Sequence, residues 1–337
     1  MTIKVAINGF GRIGRMILKA GIDDKDIEIV AINDLSDNET LAYLLKYDSA
    51  QGKFSGTVEA TDSELIINKK KIKSLAEKDP EKLPWKDLDI DVVIESTGFF
   101  ATRKGASKHL KAGAKKVLVS APCKCEEGEE PVKTLVMGVN EDIYEGEDIV
   151  SNASCTTNCT APMAKVLNDN FKIKSAFLTT VHAYTSTQNL VDGPHKKDPR
   201  RGRAAAENIV PTTTGAAKAV EITIPELKGK MDGMAMRVPV PTGSITDFTV
   251  EVEKDTTIEE VNKLFKSVAK NEMKDVLQYS EEPLVSSDIV GNPHSVIFDA
   301  KSTNVMNGKL IKVVGWYDNE YGYSCRMIDM LKKIAQS

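Results

Sequence analysis

The sequence predicts an α/β protein: an N-terminal Rossmann dinucleotide-binding domain, then a C-terminal α+β catalytic domain built on a mixed β-sheet. Three observations carry that expectation. A β-prone run enters the glycine pattern "GFGRIG" and leaves it as a helical run, β-prone runs and a helical crossover alternate through the first half, and the second half turns strand-rich after "SNASCTTNC". At 337 residues the chain exceeds the size at which one hydrophobic core keeps growing, so two domains are expected. The expected division is residues 1–151 and 152–318, with a terminal helix at about 319–337 completing the first.

Composition narrows the class. Hydrophobic residues at 41% and charged residues at 28% are ordinary for a soluble globular chain, far from the disordered and membrane classes. A net charge of −4 gives no polyanion-binding signature, so no nucleic acid partner is expected. No window approaches bilayer-spanning length, and no membrane association is expected. The opening "MTIKVAINGF" enters a strand without the regions of a signal peptide, and five thinly spread cysteines argue against a disulfide framework. Both features predict a cytoplasmic setting.

In the first half, residues 3–8 lead straight into Gly9, Gly11 and Gly14 and the helical run "RMILKAG". Gly9 permits the tight turn, Gly11 the approach of a pyrophosphate to bare backbone, and Gly14 close packing of helix on strand. The helix N-terminus offers unpaired N–H groups to the phosphates. A glycine-rich turn alone is weak evidence, but a second strand, "IEIVAIND", ends at Asp34, about twenty residues beyond Gly14. A carboxylate there accepts from the adenosine ribose and repels a 2′-phosphate, which favours NAD over NADP. Further strands are expected at "DVVIESTG", "KVLVS" and "TLVMGVN" (Thr134 to Asn140), with the helix "RKGASKHLKAG" crossing between the first two. Ligands bind at the C-terminal ends of such strands, where Thr97, Gly98 and Ser120 stand. The polar, Lys-rich residues 49–83 read as extra strands, loops and a solvated face. Cys123 and Cys125 share an acidic loop without the further ligands a metal needs.

The second half opens with "IVSNASCTTNCTAPMAKVLNDNF", a strand end passing through a cap region into a helix. Cys155 falls in or near the first turn, where the helix dipole favours its thiolate and free N–H groups offer donors to an oxyanion. Cys159, one turn further, reads as a buried small hydrophobe. A metal reading of the two cysteines fails for want of ligands, and no metal is expected. A nucleophile needs a base. Of four histidines, His182 at the end of "AFLTTVHAYT" ranks above His195 in the basic loop "DGPHKKDPRRGR", while His109 and His294 suit bland surface or core roles. A hairpin around Asn307 and Gly308, a capping box of Thr256 with Glu259, and a terminal amphipathic helix complete the reading.

Taken together, "INGFGRIGR", "SNASCTTNC", "HAYTSTQ", "RAAAENIVPTTTGAAKAV", "MRVPVPTGS" and "WYDNEYGYSCR" resemble the phosphorylating glyceraldehyde-3-phosphate dehydrogenases, from the first strand to the last helix. The resemblance implies that Cys155 is the nucleophile and His182 its base. It places Arg12, Ile13, Asp34, Thr97, Ser120 and Asn319 around NAD. It puts Thr185 and Arg237 on the substrate's own phosphate, and Ser154, Thr156, Thr214 and Gly215 on the attacking inorganic phosphate. It further implies a homotetramer, with the loop from about Tyr184 to Ala206 near a neighbouring subunit's cofactor, and so demotes His195 to a loop residue. Where many members carry an arginine near the adenine, this chain has Lys78, which keeps the charge and loses the planar fork.

The implied reaction oxidises D-glyceraldehyde 3-phosphate with NAD through a thiohemiacetal and thioester on Cys155, which inorganic phosphate releases as 1,3-bisphosphoglycerate. Three alternatives stand beside it. A relative acting on erythrose 4-phosphate shares the glycine turn and cysteine motif, but "PTTTGAA" matches an intact inorganic-phosphate site. A cysteine hydrolase leaves the dinucleotide fingerprint unexplained, and a non-catalytic binding role has no charge or motif in its favour.

Overall fold

The computed structural model describes residues 2–336. The chain forms two compact units, one taking residues up to Leu135, Glu141–Ala153 and the chain from Ser324 onward, the other Val136–Asn140 and Ser154–Tyr323.

The first unit contains, in order, β1 (Ile3–Asn8), α1 (Arg12–Gly21), β2 (Ile27–Asn33), α2 (Asn38–Lys46), β3 (Val58–Ala60), β4 (Glu64–Ile67), β5 (Lys70–Leu75), β6 (Val92–Glu95), α3 (Arg103–Lys111), β7 (Lys116–Val119), β8 (Lys133–Thr134) and β9 (Ile149–Ser151). They form one sheet in the order β3-β4-β5-β2-β1-β6-β7-β9-β8. From β5 to β8 every neighbouring pair is parallel, while β3 and β4 add an antiparallel edge. The central strands are near-continuous apolar runs because helices cover both faces of a parallel sheet. β6 is buried at all four positions.

The strand expected from Thr134 to Asn140 is not formed beyond its first residue. Only Lys133 and Thr134 pair, with β9. The chain then turns, with Gly138 at φ +76° and Asn140 Oδ1 accepting from Val136 N at 2.8 Å. A side chain that bonds its own nearby backbone competes with the ladder, and here it prevails.

The second unit contains α4 (Cys155–Phe171), β10 (Ile173–Ala183), β11 (Val210–Thr213), α5 (Ala216–Thr223), β12 (Met231–Val238), β13 (Ser244–Val252), α6 (Ile258–Lys270), β14 (Leu277–Ser280), β15 (Val296–Asp299), β16 (Asn304–Met306) and β17 (Leu310–Tyr317). The sheet order is β11-β12-β10-β13-β17-β15-β14, with β16 on β17. It is mixed, since β10 lies parallel to β12 and antiparallel to β13. α4 packs across β13 and β17, burying Met163 and Leu167. The hairpin turns at Asn307 and Gly308, both at positive φ. The capping box falls one residue later than expected: Thr257 Oγ1 accepts from Glu260 N at 3.2 Å and Glu260 returns to Thr257 N at 3.0 Å. The helical backbone starts at Ile258, so Thr257 is the residue whose side chain faces the orphan N–H groups.

A last helix, α7 (Tyr321–Ala335), returns to the first unit from Ser324. Gly21 makes room for it, since a Cβ there would lie 2.8 Å from Ile328 Cδ1. Lys332 pairs with Asp24 at 2.7 Å. Among the described residues no helix is long and apolar enough to cross a membrane.

Candidate active site

The glycine turn of the first unit is closed toward the protein and open outward. Gly9 takes φ +92°, and a Cβ there would fall 2.7 Å from Thr97 N. A Cβ on Gly14 would run into Gly9 O, whereas one on Gly11 would meet nothing within 4 Å. That is the shape a pyrophosphate needs at the start of α1, which Arg12 and Ile13 open. Asp34 is fixed beside the turn by Phe10 N at 2.8 Å and Ser36 N at 3.0 Å. Arg12 pairs with buried Asp48 at 2.8 Å.

The other expected cofactor residues of this unit gather at the same strand ends. Thr97 and Gly98 follow β6, with Gly98 at φ +74° and open space where its side chain would be. Ser120 follows β7, its N–H donating to Glu95 O at 2.9 Å. Lys78 lies exposed beyond β5, on a stretch tied to the end of β2 by Asp34 N to Leu75 O at 3.0 Å and Glu77 N to Asn33 Oδ1 at 2.9 Å. A groove edge of bare backbone with one carboxylate fits a dinucleotide.

In the second unit, Cys155 is the first residue of α4. Ala153, at φ +54°, turns the chain sharply after β9, and Ser154 caps the helix by accepting from Thr157 N at 3.1 Å. Cys155 Sγ lies 3.4 Å from His182 Nε2. His182 is the next-to-last residue of β10, where the parallel register sets it beside Arg237 of β12. Nη1 of Arg237 is 2.7 Å from His182 Nδ1 and 3.1 Å from Ala183 O, and Nδ1 is itself 2.7 Å from Ala183 O. A guanidinium only donates and a carbonyl only accepts, so Nδ1 either accepts from Arg237 or donates to Ala183 O. Only the second arrangement leaves a lone pair on Nε2 facing the sulfur.

Electrostatics set the resting charges. Burial pushes the Cys155 thiol up, outweighing Arg237 and the contacts with Thr156 that pull it down. Desolvation thus opposes the thiolate in the unliganded site, while Arg237 and the helix-start N–H groups favour it. Burial first, and the Arg237 charge second, pull His182 down to about 3. Both shifts favour the neutral pair, a thiol beside an imidazole.

The remaining residues take distinct places. Thr214 and Gly215 lead into α5, Thr214 Oγ1 accepting from Ala216 N at 3.2 Å and Gly215 facing open space. Thr185 lies just beyond β10, its hydroxyl 2.8 Å from that of Thr187. Thr156 turns its hydroxyl to Tyr317 Oη at 3.0 Å, so its backbone N–H is the group it presents at the helix start. Asn319 Oδ1 accepts from Gly243 N at 3.1 Å and Ser244 Oγ at 2.8 Å, which fixes which end of its amide is the oxygen. His195 is occupied in its loop, Nδ1 accepting from Asp198 N at 3.1 Å. Cys159 is fully buried.

Two residues near the base escaped sequence reasoning. Tyr317 stands edge-on to His182 at 5.8 Å between centroids, and its hydroxyl meets Thr180 Oγ1 at 2.8 Å. Strand alternation turns Tyr317 inward, but only the strand order brings it under the imidazole.

Comparison with known proteins identifies the family. Residues 3–103 match the family model described as glyceraldehyde 3-phosphate dehydrogenase, NAD binding domain, and residues 154–319 match its C-terminal domain. The chain is 55% identical to glyceraldehyde-3-phosphate dehydrogenase of Geobacillus stearothermophilus over 99% of both proteins. It is 54% identical to glyceraldehyde-3-phosphate dehydrogenase 1 of Bacillus subtilis, over 100% of this chain and 99% of the relative. Against the enzyme of that name from Salmonella typhimurium the identity is 53% over 100% of both.

Proposed function

The chain belongs to the glyceraldehyde-3-phosphate dehydrogenase family, an NAD-dependent enzyme family, and we infer from that premise how its residues convert D-glyceraldehyde 3-phosphate to 1,3-bisphosphoglycerate. The observation that carries the reading is Cys155 Sγ 3.4 Å from His182 Nε2 at a helix start.

The substrate's phosphate pairs with Arg237, and Thr185 supports it. With the guanidinium engaged by the phosphate, the tautomer whose Nδ1 proton goes to Ala183 O has no competitor, and its Nε2 presents a lone pair to the thiol. The thiol proton passes to Nε2 as sulfur adds to the aldehyde carbon, and N–H groups at the start of α4 stabilise the oxyanion. The imidazolium protonates that oxygen, giving the thiohemiacetal. His182 then takes the hydroxyl proton back as hydride departs and the thioester forms. The glycine turn, Asp34, Thr97 and Asn319 would hold NAD, which would supply the hydride acceptor. Inorganic phosphate, bound by Ser154, the Thr156 N–H, Thr214 and Gly215, attacks the thioester and expels the Cys155 thiolate, which His182 reprotonates.

Asp34 favours NAD over NADP through repulsion of a 2′-phosphate. The assembly we infer is a cytoplasmic homotetramer. In support, the loop after β10 exposes Leu190 at 79% and Val191 at 71%, apolar surface suited to a neighbouring copy.

The test follows reduced-cofactor absorbance with NAD or NADP, glyceraldehyde 3-phosphate or erythrose 4-phosphate, and phosphate present or omitted. Turnover should require NAD, the triose and phosphate together. Equal rates without phosphate, or a preference for the tetrose, would sink the reading, and sedimentation of the same preparation tests the tetramer.

A further inference from the structure

A buried polar network that no step above uses lies under the cofactor edge of the first unit. Glu95, the last residue of β6, is 1% exposed, and His109 on α3 is 0% exposed. Glu95 Oε2 accepts from Asn8 Nδ2 at 2.6 Å and lies 3.1 Å from His109 Nε2. Its Oε1 accepts from Thr97 N at 2.8 Å and from the Thr97 hydroxyl. Trp85 Nε1 can only donate, and it lies 3.0 Å from His109 Nδ1. That nitrogen is therefore the acceptor, and Nε2 carries the proton given to Glu95. Four donors converge on its two oxygens, so the buried carboxyl group leaves no acceptor unmet.

The consequence reaches the surface through Thr97. Its hydroxyl proton is committed to Glu95, and its oxygen also accepts from Phe99 N at 3.0 Å. Any further bond at Thr97 Oγ1 is one that it accepts. The same segment is pinned to the glycine turn, since Ser96 Oγ donates to Gly9 O at 2.7 Å.

We propose that Glu95 is a positioning residue for the dinucleotide: it holds the Thr97 segment against the glycine turn and makes Thr97 Oγ1 an acceptor. The cofactor group seated there is then a hydrogen-bond donor, an amine or a hydroxyl, and not a phosphate oxygen. This rests on the dinucleotide reading above.

The test is NAD titration calorimetry on the parent, Glu95→Gln, Thr97→Val and the double variant, with kcat and KM for NAD measured alongside. Each single variant should weaken NAD binding by about tenfold, and the double by no more than about twofold beyond the weaker single, because Glu95 acts through Thr97. In Glu95→Gln the loss should sit in KM for NAD, with kcat at saturating NAD within about twofold of the parent. Additive losses, or a Glu95→Gln protein that binds NAD as the parent does, overturn the proposal. If Glu95→Gln does not fold, His109→Asn, too short to reach the carboxylate, takes its place, and unchanged NAD affinity there overturns the proposal. Failure of both to fold assigns the network to folding alone and also overturns it. A parent that does not bind NAD defeats the dinucleotide reading itself, whatever the role of Glu95.

Discussion

His109 in the first unit and His182 in the second are buried alike, at 0% and 3% exposed, but their ring nitrogens meet different partners. His109 has a donor on one side, Trp85, and an acceptor on the other, Glu95, so one tautomer satisfies both nitrogens and nothing is left to exchange. His182 has a carbonyl and a guanidinium competing for Nδ1 and a thiol at Nε2. One network is closed and holds a shape; the other is open and can move a proton. Burial alone separates a structural histidine from a catalytic one poorly, and the inventory of donors and acceptors separates them well.

The largest expected effect tests whether the open network is the reactive one. Cys155→Ser should lower kcat on the order of 10⁴-fold or more while NAD still binds, because a serine hydroxyl is a far weaker nucleophile than a thiol paired with a base. Cys159→Ser, in the core of the same helix, should keep activity within about tenfold of the parent. Steady-state rates of the two variants decide, and the reverse pattern would move the nucleophile to Cys159.

Exchanging the two histidines in turn comes next. His182→Asn should lower kcat by about 10²–10⁴-fold, the usual worth of a general base. His109→Asn should leave kcat at saturating NAD within a few-fold and instead destabilise the fold by about 1–3 kcal/mol, the penalty of orphaning buried partners. Acid adds a second reading. His182 sits near 3 when folded and near 6.5 as a free imidazole, so between those values the unfolded chain binds the extra proton. Its contribution to stability is present above pH 6.5 and is lost as the pH falls toward 3. Urea midpoints at pH 7 and pH 4 should therefore fall less in His182→Asn than in the parent; an equal fall would mean the imidazole is not desolvated.

Arg237→Leu probes the gate on the open network. Losing a charge-assisted contact of about 1.5–3 kcal/mol should reduce kcat/KM for glyceraldehyde 3-phosphate about 10–100-fold. Unphosphorylated glyceraldehyde should suffer much less, and an equal loss on both aldehydes would place Arg237 in the chemistry. The smallest effect belongs to Thr214→Ala, where a neutral hydrogen bond of about 1 kcal/mol should raise KM for inorganic phosphate about fivefold. A burst of reduced cofactor should survive in that variant. If the aldehyde's KM rises instead, the two phosphate positions are interchanged.

Contiguous signals made the first unit legible. The glycine turn, the strand ending at Asp34 and the crossover α3 are local, and glycine chemistry at Gly9 and Gly14 leaves little choice of backbone. The cap at Ser154 and the helix carrying Cys155 were equally readable, because capping depends on residues within one turn. Misreadings came where local preference met a competitor: the run after Thr134 had β-prone residues, but Asn140 bonded the backbone first.

The two networks depended on the third dimension. Glu95 and His109 come from a strand and a crossover helix, and neither's neighbours in sequence name Asn8 or Trp85 as its partner. Arg237 stands beside His182 because β10 and β12 run parallel at that register, a pairing between segments separated by a long loop, β11 and α5. Tyr317 reaches the same imidazole from β17, across β13. Residue types and short spacings specify which chemistry is available, since they act through bonds to adjacent backbone. Which donor meets which acceptor is decided by strand order and burial, since both arise only when distant apolar segments leave water together.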